Sequence, residues 1–178
     1  MSGAHSIVNK ANIIKKVFFH VWLFPLSSVV SSAIRHGITF LIFLIIFFMH
    51  QGMPSLYQIG FLLFLFSFQI ILTTGIVFIL SSLTVYIRDV LQMLGISLQV
   101  LFYLTTILYP FQSVPEKLKI FLYFNPVTPI IESYHAVILY AKIPSLFQII
   151  YIMSLSFFCL FIGRFVFRRL KQGFADVL

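Results

Sequence analysis

The stretch RHGITFLIFLIIFFMHQGMPSLYQIGFLLFLFSFQIILTTGIVFILSSLTVYIR, residues 35–88, decides the fold. Between Arg35 and Arg88 it holds no Asp, Glu, Lys or Arg. A membrane-crossing helix needs about 20 mostly apolar residues at a rise of about 1.5 Å each, so there is room here for more than one crossing. The only polar, turn-forming break is His50-Gln51-Gly52-Met53-Pro54-Ser55. Spacing therefore predicts one span over about residues 26–49 and a second over about 56–85. The apolar run from Ile38 to Met49 is too short to cross by itself. A helix of about 20 residues ending at Met49 starts near Val30 and carries Arg35 about 7.5 Å inside. At that depth the guanidinium can snorkel to the interface, or it can face a pore or a partner helix.

Outward from this stretch the same arithmetic continues. Tyr86-Ile87-Arg88-Asp89 makes a short charged turn, and a third span follows over about 90–110, stopped by Pro110. A fourth runs over about 145–167 and ends at Arg168-Arg169-Leu170-Lys171. The whole chain agrees: 61% of its 178 residues are hydrophobic and 9% charged, where a soluble domain keeps about a quarter charged. Its solvent is mostly lipid. The expected fold is all-α, a polytopic membrane helix bundle of four transmembrane helices plus a short helical hairpin on the outer face. Residues 1–20 form a cytoplasmic amphipathic segment and 21–178 the transmembrane domain. The N-terminus, polar and basic with no small-residue cleavage site, does not read as a signal peptide. The single cysteine, Cys159, excludes an intrachain disulfide.

Charge sets orientation. The chain carries 12 basic and 4 acidic residues. With the N-terminus in the cytoplasm, Lys10, Lys15, Lys16, Arg88, Arg164, Arg168, Arg169 and Lys171 lie at the inner side, against Lys117, Lys119 and Lys142 outside. Both termini are then cytoplasmic. The basic residues sit at the ends of apolar segments, which accounts for the net charge of +8 without nucleic acid, and no nucleic-acid-binding motif accompanies them.

Segment 111–142 is neither a span nor a free loop. Two apolar stretches, 120–124 and 127–140, are broken by Pro115, Pro126 and Pro129 and carry Glu116, Lys117, Lys119 and Glu132. Two short helices dipping into the outer membrane face fit this pattern. Irregular backbone at membrane depth is tolerated only where protein or a water-filled cavity satisfies it, so this hairpin is the first candidate site. Aromatic residues gather on the same side: Phe102, Tyr103, Tyr109, Phe111, Phe121, Tyr123, Phe124, Tyr134 and Tyr140. They read either as an interface belt or as a lining on which sugar rings can stack.

Catalytic patterns are thin. Glu132-x-x-His135 has the spacing of a di-iron ligand pair, but a metal centre needs a second copy, which the chain lacks. The five histidines show no ligand spacing, and no Gly-x-x-x-x-Gly-Lys-Ser/Thr loop exists, so no cofactor is expected and any nucleotide chemistry belongs to another polypeptide. The stretch Ser6–Phe19 is amphipathic, with Ile7, Ile13, Ile14 and Val17 opposed to Asn9, Lys10, Asn12, Lys15 and Lys16; alone it reads as a basic anchor on anionic membrane lipid.

Several short motifs in order resemble one family. Residues 9–19, NKANIIKKVFF, followed by Phe24-Pro25-Leu26-Ser27, look like the cytoplasmic coupling segment and following span of the permeases of ABC exporters for O-antigen, capsule or teichoic acid. Tyr86-Ile87-Arg88-Asp89-Val90 is similar to that family's charged turn before its fifth span. Leu108-Tyr109-Pro110, Ser113-Val114-Pro115-Glu116-Lys117-Leu118 and Phe124-Asn125-Pro126-Val127-Thr128-Pro129-Ile130-Ile131-Glu132 resemble its outer hairpin, and Gly173-Phe174-Ala175-Asp176 its C-terminal ending. His20, Thr106 and His135 depart from the pattern, as does Arg35-His36. Members carry an interfacial helix and two further spans before the coupling segment, so the chain resembles the back four of six spans.

The resemblance implies a permease in the bacterial cytoplasmic membrane that forms a homodimer, pairs with a separate ATP-binding subunit and moves a lipid-linked polysaccharide. Asn9, Asn12, Lys15 and Lys16 would face the ATPase. Tyr109, Pro110, Pro115, Glu116, Asn125, Pro126, Pro129 and Glu132 would form the outer gate and glycan path, and Arg88 and Asp89 the cytoplasmic turn. Three alternatives stay open: a truncated remnant without function, an exporter of drugs or lipids, and a membrane-bound acyl or glycosyl transferase using Glu132 and His135.

Overall fold

A computed structural model describes residues 2–8, 20–107, 109, 113–117, 119, 122 and 125–174. Among them are five α-helices and no strand: α1 (Leu23–Gln51), α2 (Leu56–Tyr86), α3 (Val90–Tyr103), α4 (Thr128–Ile138) and α5 (Leu146–Leu170), the last continued by a 3-10 turn, Lys171–Gly173. One end of the bundle carries the 52–55 loop and is called the loop end. The opposite end carries residues 2–8, the 87–89 turn and 171–174, and is called the basic end.

Three helices, α1, α2 and α5, are long and apolar enough to cross a membrane. The expected first span starts later than the helix does. Helix α1 begins at Leu23, with Pro25 in its first turn, where a missing N–H breaks no bond. Arg35 is thus twelve residues in, about 18 Å along the axis, rather than near an end. Gly52 ends the helix at φ 97°, donating its N–H to Phe48 O at 2.9 Å. Helices α2 and α5 start with one device, Ser-x-x-Gln. The Ser55 N–H donates to Gln58 Oε1 at 2.8 Å, and the Ser145 N–H to Gln148 Oε1 at 2.9 Å. These capping boxes satisfy helix ends without charge.

The third expected span, 90–110, is shorter in the structure. Helix α3 has 14 residues and rises about 21 Å, short of a hydrocarbon core of about 30 Å. Beyond Tyr103 the chain turns, because Thr105 and Leu104 give their polar groups to other partners. The Thr105 hydroxyl donates back to Leu101 O at 2.6 Å, and Asn125 reaches over to take Leu104 O.

The bundle is organised on one helix pair. Helix α2 packs along α5 far more extensively than any other two elements meet. At the crossing Gly75 and Gly163 bring the backbones together: a Cβ on Gly163 would lie 2.2 Å from Gly75 O, and one on Gly75 2.4 Å from the Cys159 carbonyl carbon. Ser156, fully buried, donates to Phe68 O at 3.1 Å across the pair. Toward the loop end Leu62, Leu65, Leu72 and Ile152 form a core with Ile130 and Val137 of α4. Toward the basic end Val85, Phe167 and Phe174 close around Ile7, and the Tyr86 hydroxyl donates to Leu170 O at 2.7 Å. Val8 and Val21 pack on this same cluster. In contrast α1 buries only Pro25 and Val29, and α3 buries no residue.

Two substitutions test this packing. Gly163→Ala has no space and should cost about 1–3 kcal/mol, read as a lower unfolding midpoint in detergent or bicelles. A wild-type midpoint would mean that the helices do not approach as closely as described. Ala141, which follows α4 at φ 49°, sits in the left-handed region. Ala141→Gly should raise stability by about 1 kcal/mol in the same assay.

Candidate functional site

The hairpin region is built around Asn125. Its side-chain amide donates to Leu104 O at 3.0 Å and to Thr105 Oγ1 at 2.8 Å, and its Oδ1 accepts the Val127 N–H at 2.9 Å. One buried side chain thus holds the end of α3 and starts the turn into α4. Pro126 is exposed and prevents the helix from starting early, while Pro129 stands within the first turn of α4, where proline is tolerated. The elbow Asn125–Pro129 is therefore a corner held by the Asn125 hydrogen bonds and two prolines.

Helix α4 is then fastened to α2 by three side-chain bonds. Gln58 Nε2 donates to Val137 O at 3.0 Å, Tyr57 donates to Ala141 O, and Tyr134 donates to Gln69 Oε1 at 2.8 Å. Gln58 does double duty, since its Oε1 caps α2. Burial pushes the Tyr134 phenol up, so it remains a donor. The Tyr134 ring meets Phe40 of α1 edge-on at 5.7 Å, so α4 also touches the first helix.

Polar atoms without partners collect here. Among the described residues the buried orphans are Thr106 Oγ1, Thr128 Oγ1 and Glu132 Oε1. Glu132 stands 3.7 Å from His135 Nδ1 one turn along α4. No group of three metal-binding side chains occurs among the described residues.

Of the other expected residues, Tyr109 donates to Tyr103 O at 2.9 Å, bracing the end of α3. Glu116 pairs with Lys119 one turn on, after the exposed Pro115, and stands apart from the Asn125 elbow in these interactions. Arg88 and Asp89 are exposed at the basic end; Asp89 precedes α3, where its charge favours the helix dipole. Pro110, and Asn9, Asn12, Lys15 and Lys16, lie outside the described residues. Residues that the motifs did not single out complete the site: Gln58, Gln69 and Thr105. A polar side chain inside an otherwise apolar run was the available signal for each.

A membrane helix bundle with a short helix held against one end by neutral hydrogen bonds is the class of protein that these elements define. The profile of the ABC-2 type transporter family matches residues 5–139, and the chain belongs to this family. It is 29% identical over 174 residues to an O-antigen export system permease protein RfbA of Klebsiella pneumoniae, covering 97% of this chain and 66% of that one. An RfbA of Myxococcus xanthus is 22% identical over 176 residues, 98% of this chain and 67% of the relative. The chain thus spans about two thirds of the length of the curated relatives it matches.

The elbow makes a specific expectation. Asn125→Ala leaves Leu104 O and Thr105 Oγ1 without their donor and should cost about 1–3 kcal/mol, whereas Thr106→Val removes an orphan hydroxyl and should be neutral or stabilising. Thermal unfolding of both variants in one lipid system checks the contrast; equal losses would refute it.

Proposed function

We propose that the chain is the membrane subunit of an ABC exporter that moves a lipid-linked polysaccharide of O-antigen, capsule or teichoic acid type across the bacterial cytoplasmic membrane. The observation that carries this reading is similarity along nearly the whole chain to proteins named O-antigen export permeases, with family membership over residues 5–139. The chain forms a homodimer and pairs with a separate ATP-binding subunit, since no phosphate-binding loop occurs in the sequence. Both termini and the basic end face the cytoplasm, as the placement of Arg88, Arg164, Arg168, Arg169 and Lys171 favours. In this reading the segment 90–110, of which α3 is the helical part, makes the third of four crossings, and the hairpin faces outward.

Residues 1–20 act as the coupling segment, with Asn9, Asn12, Lys15 and Lys16 facing the ATPase. Their neighbours on either side, Val8 and Val21, pack on one cluster at the end of α2 and α5, so displacement of the segment reaches the bundle through that cluster. At the other end Tyr109, Pro110, Pro115, Glu116, Asn125, Pro126, Pro129 and Glu132 form the gate and glycan path. A corner fixed by Asn125 moves as a unit, and flat aromatic faces let a glycan slide without holding any one sugar.

The reading is tested by co-expressing the chain with a candidate ABC ATPase subunit from the same genome, purifying in mild detergent, and following ATP-driven delivery of a labelled lipid-linked glycan into inverted vesicles. The ATPase should co-purify, and reversing Lys15 and Lys16 to Glu should cut the recovered ATPase by about tenfold. Absence of the ATPase from the wild-type preparation would sink the reading. Co-purification with movement of a drug or simple lipid, and no glycan, would replace the substrate class.

A further inference from the structure

Halfway along the bundle α1 and α2 do not close on each other. A cavity of about 190 Å³ lies between them, lined by Ser32, His36, Phe66, Gln69 and Thr73 among others. This is room for about six waters at about 30 Å³ each. The lining residues Phe66 to Thr73 stand at the middle of the 31-residue α2, about 15–20 Å from its nearer end. An arginine in hydrocarbon is costly unless it is paired, faces water or snorkels to an interface.

Arg35, exposed, reaches the edge of this cavity through Ser32, which lines it. Its Nη2 donates to Ser32 Oγ at 3.0 Å, and among the described residues it has no carboxylate partner. The rest of the rim also offers donors. Ser32 Oγ accepts from Arg35, which leaves its own proton for another acceptor. Gln69 Oε1 is occupied by the Tyr134 hydroxyl, which fixes the amide and leaves Nε2 without a partner among the described residues. The His36 ring is stacked on Phe40 and Phe66, with centroids at 5.9 and 5.8 Å, and presents its ring edge rather than its face. Thr73 is the exception: its hydroxyl is used within α2, donating to Gln69 O. The set is a guanidinium, a hydroxyl, a primary amide and an imidazole, rich in donors and without an anion.

We propose that this mid-membrane pocket binds a phosphate group, with Arg35 supplying the charge, Gln69 Nε2 and Ser32 Oγ the neutral donors, and His36 one further N–H. An oxyanion accepts several hydrogen bonds at once and pairs with the guanidinium, which a neutral ligand does not. The phosphate can come from a transported lipid-linked substrate or from a membrane phospholipid. Only the first source rests on the export reading; the site itself stands on the pocket. Tyr134 is a positioning residue, since it holds the Gln69 amide from α4 and touches no ligand.

The test uses the full chain in phosphatidylcholine nanodiscs and a fluorescent polyprenyl phosphate, with the same-length polyprenyl alcohol as its uncharged counterpart. The phosphate probe should bind and the alcohol should bind at least about tenfold more weakly; Arg35→Leu and Gln69→Leu should each weaken the phosphate probe by about ten- to a hundredfold. Without probe, Arg35→Leu should unfold at an unchanged temperature, because the side chain is exposed and its bond to Ser32 lies at the surface; a structural arginine would give a lower one. Should Arg35→Leu fail to accumulate, Gln69→Leu carries the binding comparison. Displacement of the probe by equimolar phosphatidylglycerol keeps the site and assigns it to phospholipid, whatever the vesicle export assay shows. Equal binding of alcohol and phosphate, or wild-type binding by the variant that accumulates, overturns the inference.

Discussion

The close approach of α2 and α5 at Gly75 and Gly163 is the constraint on which the other contacts depend. In lipid, helices gain little from hiding apolar surface, because the solvent is as apolar as the side chains. Association comes instead from packing and from interhelical hydrogen bonds, both of which require backbones near each other. Glycine at both positions removes the side chains that would hold them apart. The Ser156 hydroxyl then reaches Phe68 O, and the Leu62–Ile152 core and the Val85–Phe167 cluster close on either side. The groove that α4 occupies with Ile130 and Val137 belongs to the same core.

Polar requirements are met differently at the two ends. At the loop end the fastenings among the described residues use neutral groups: Gln58, Tyr57, Tyr134 and Asn125 donate to carbonyls, a hydroxyl or an amide oxygen. Neutral hydrogen bonds avoid the desolvation penalty of an ion pair in a low dielectric. At the basic end Arg88, Arg168, Arg169 and Lys171 lie exposed beside apolar packing of Ile7, Val85, Phe167 and Phe174. Arg169 lies over the Phe165 ring at 4.9 Å, so even there a cation rests on an apolar face.

Much of the framework was legible in the sequence. The charge-free run from Arg35 to Arg88 and its single break gave α1, α2 and the loop between them, because length and apolarity alone decide a crossing. The third crossing was read from apolarity too, but the end of α3 depends on Asn125, about twenty residues downstream, and no local pattern reports such a bond. Helix α1 begins at Leu23, a few residues before the span expected over 26–49, because a helix can extend past the apolar length that crosses a membrane. The motif Asn-Pro-Val-Thr-Pro forms the elbow, yet its partners Leu104 and Thr105 lie about twenty residues upstream, and α4 beyond it is held by Gln58 and Gln69 of α2. Hydropathy finds helices well and says little of which faces meet, since in α2 nearly every face is apolar.

The packing also determines which parts can move. Separating α2 from α5 would expose backbone carbonyls that glycine brought within reach and would break the Ser156 bond, so this pair behaves as one body. Helix α1 meets α2 partly across a cavity, with Phe40 and Leu44 packed on the core beyond it, whereas α3 buries no residue and is the less firmly held of the two. Helix α4 lies between these regimes, tied to α2 through Gln58, Tyr57 and Gln69 and to the end of α3 through Asn125. A shift of α3 therefore pulls on the Asn125 corner, and a shift of α4 pulls on the Gln69 amide at the cavity. Among the described residues α4 and the cavity are joined by the hydrogen bond from Tyr134 to Gln69 and by the ring contacts Tyr134–Phe40–His36, and a rearrangement of one is felt by the other through them.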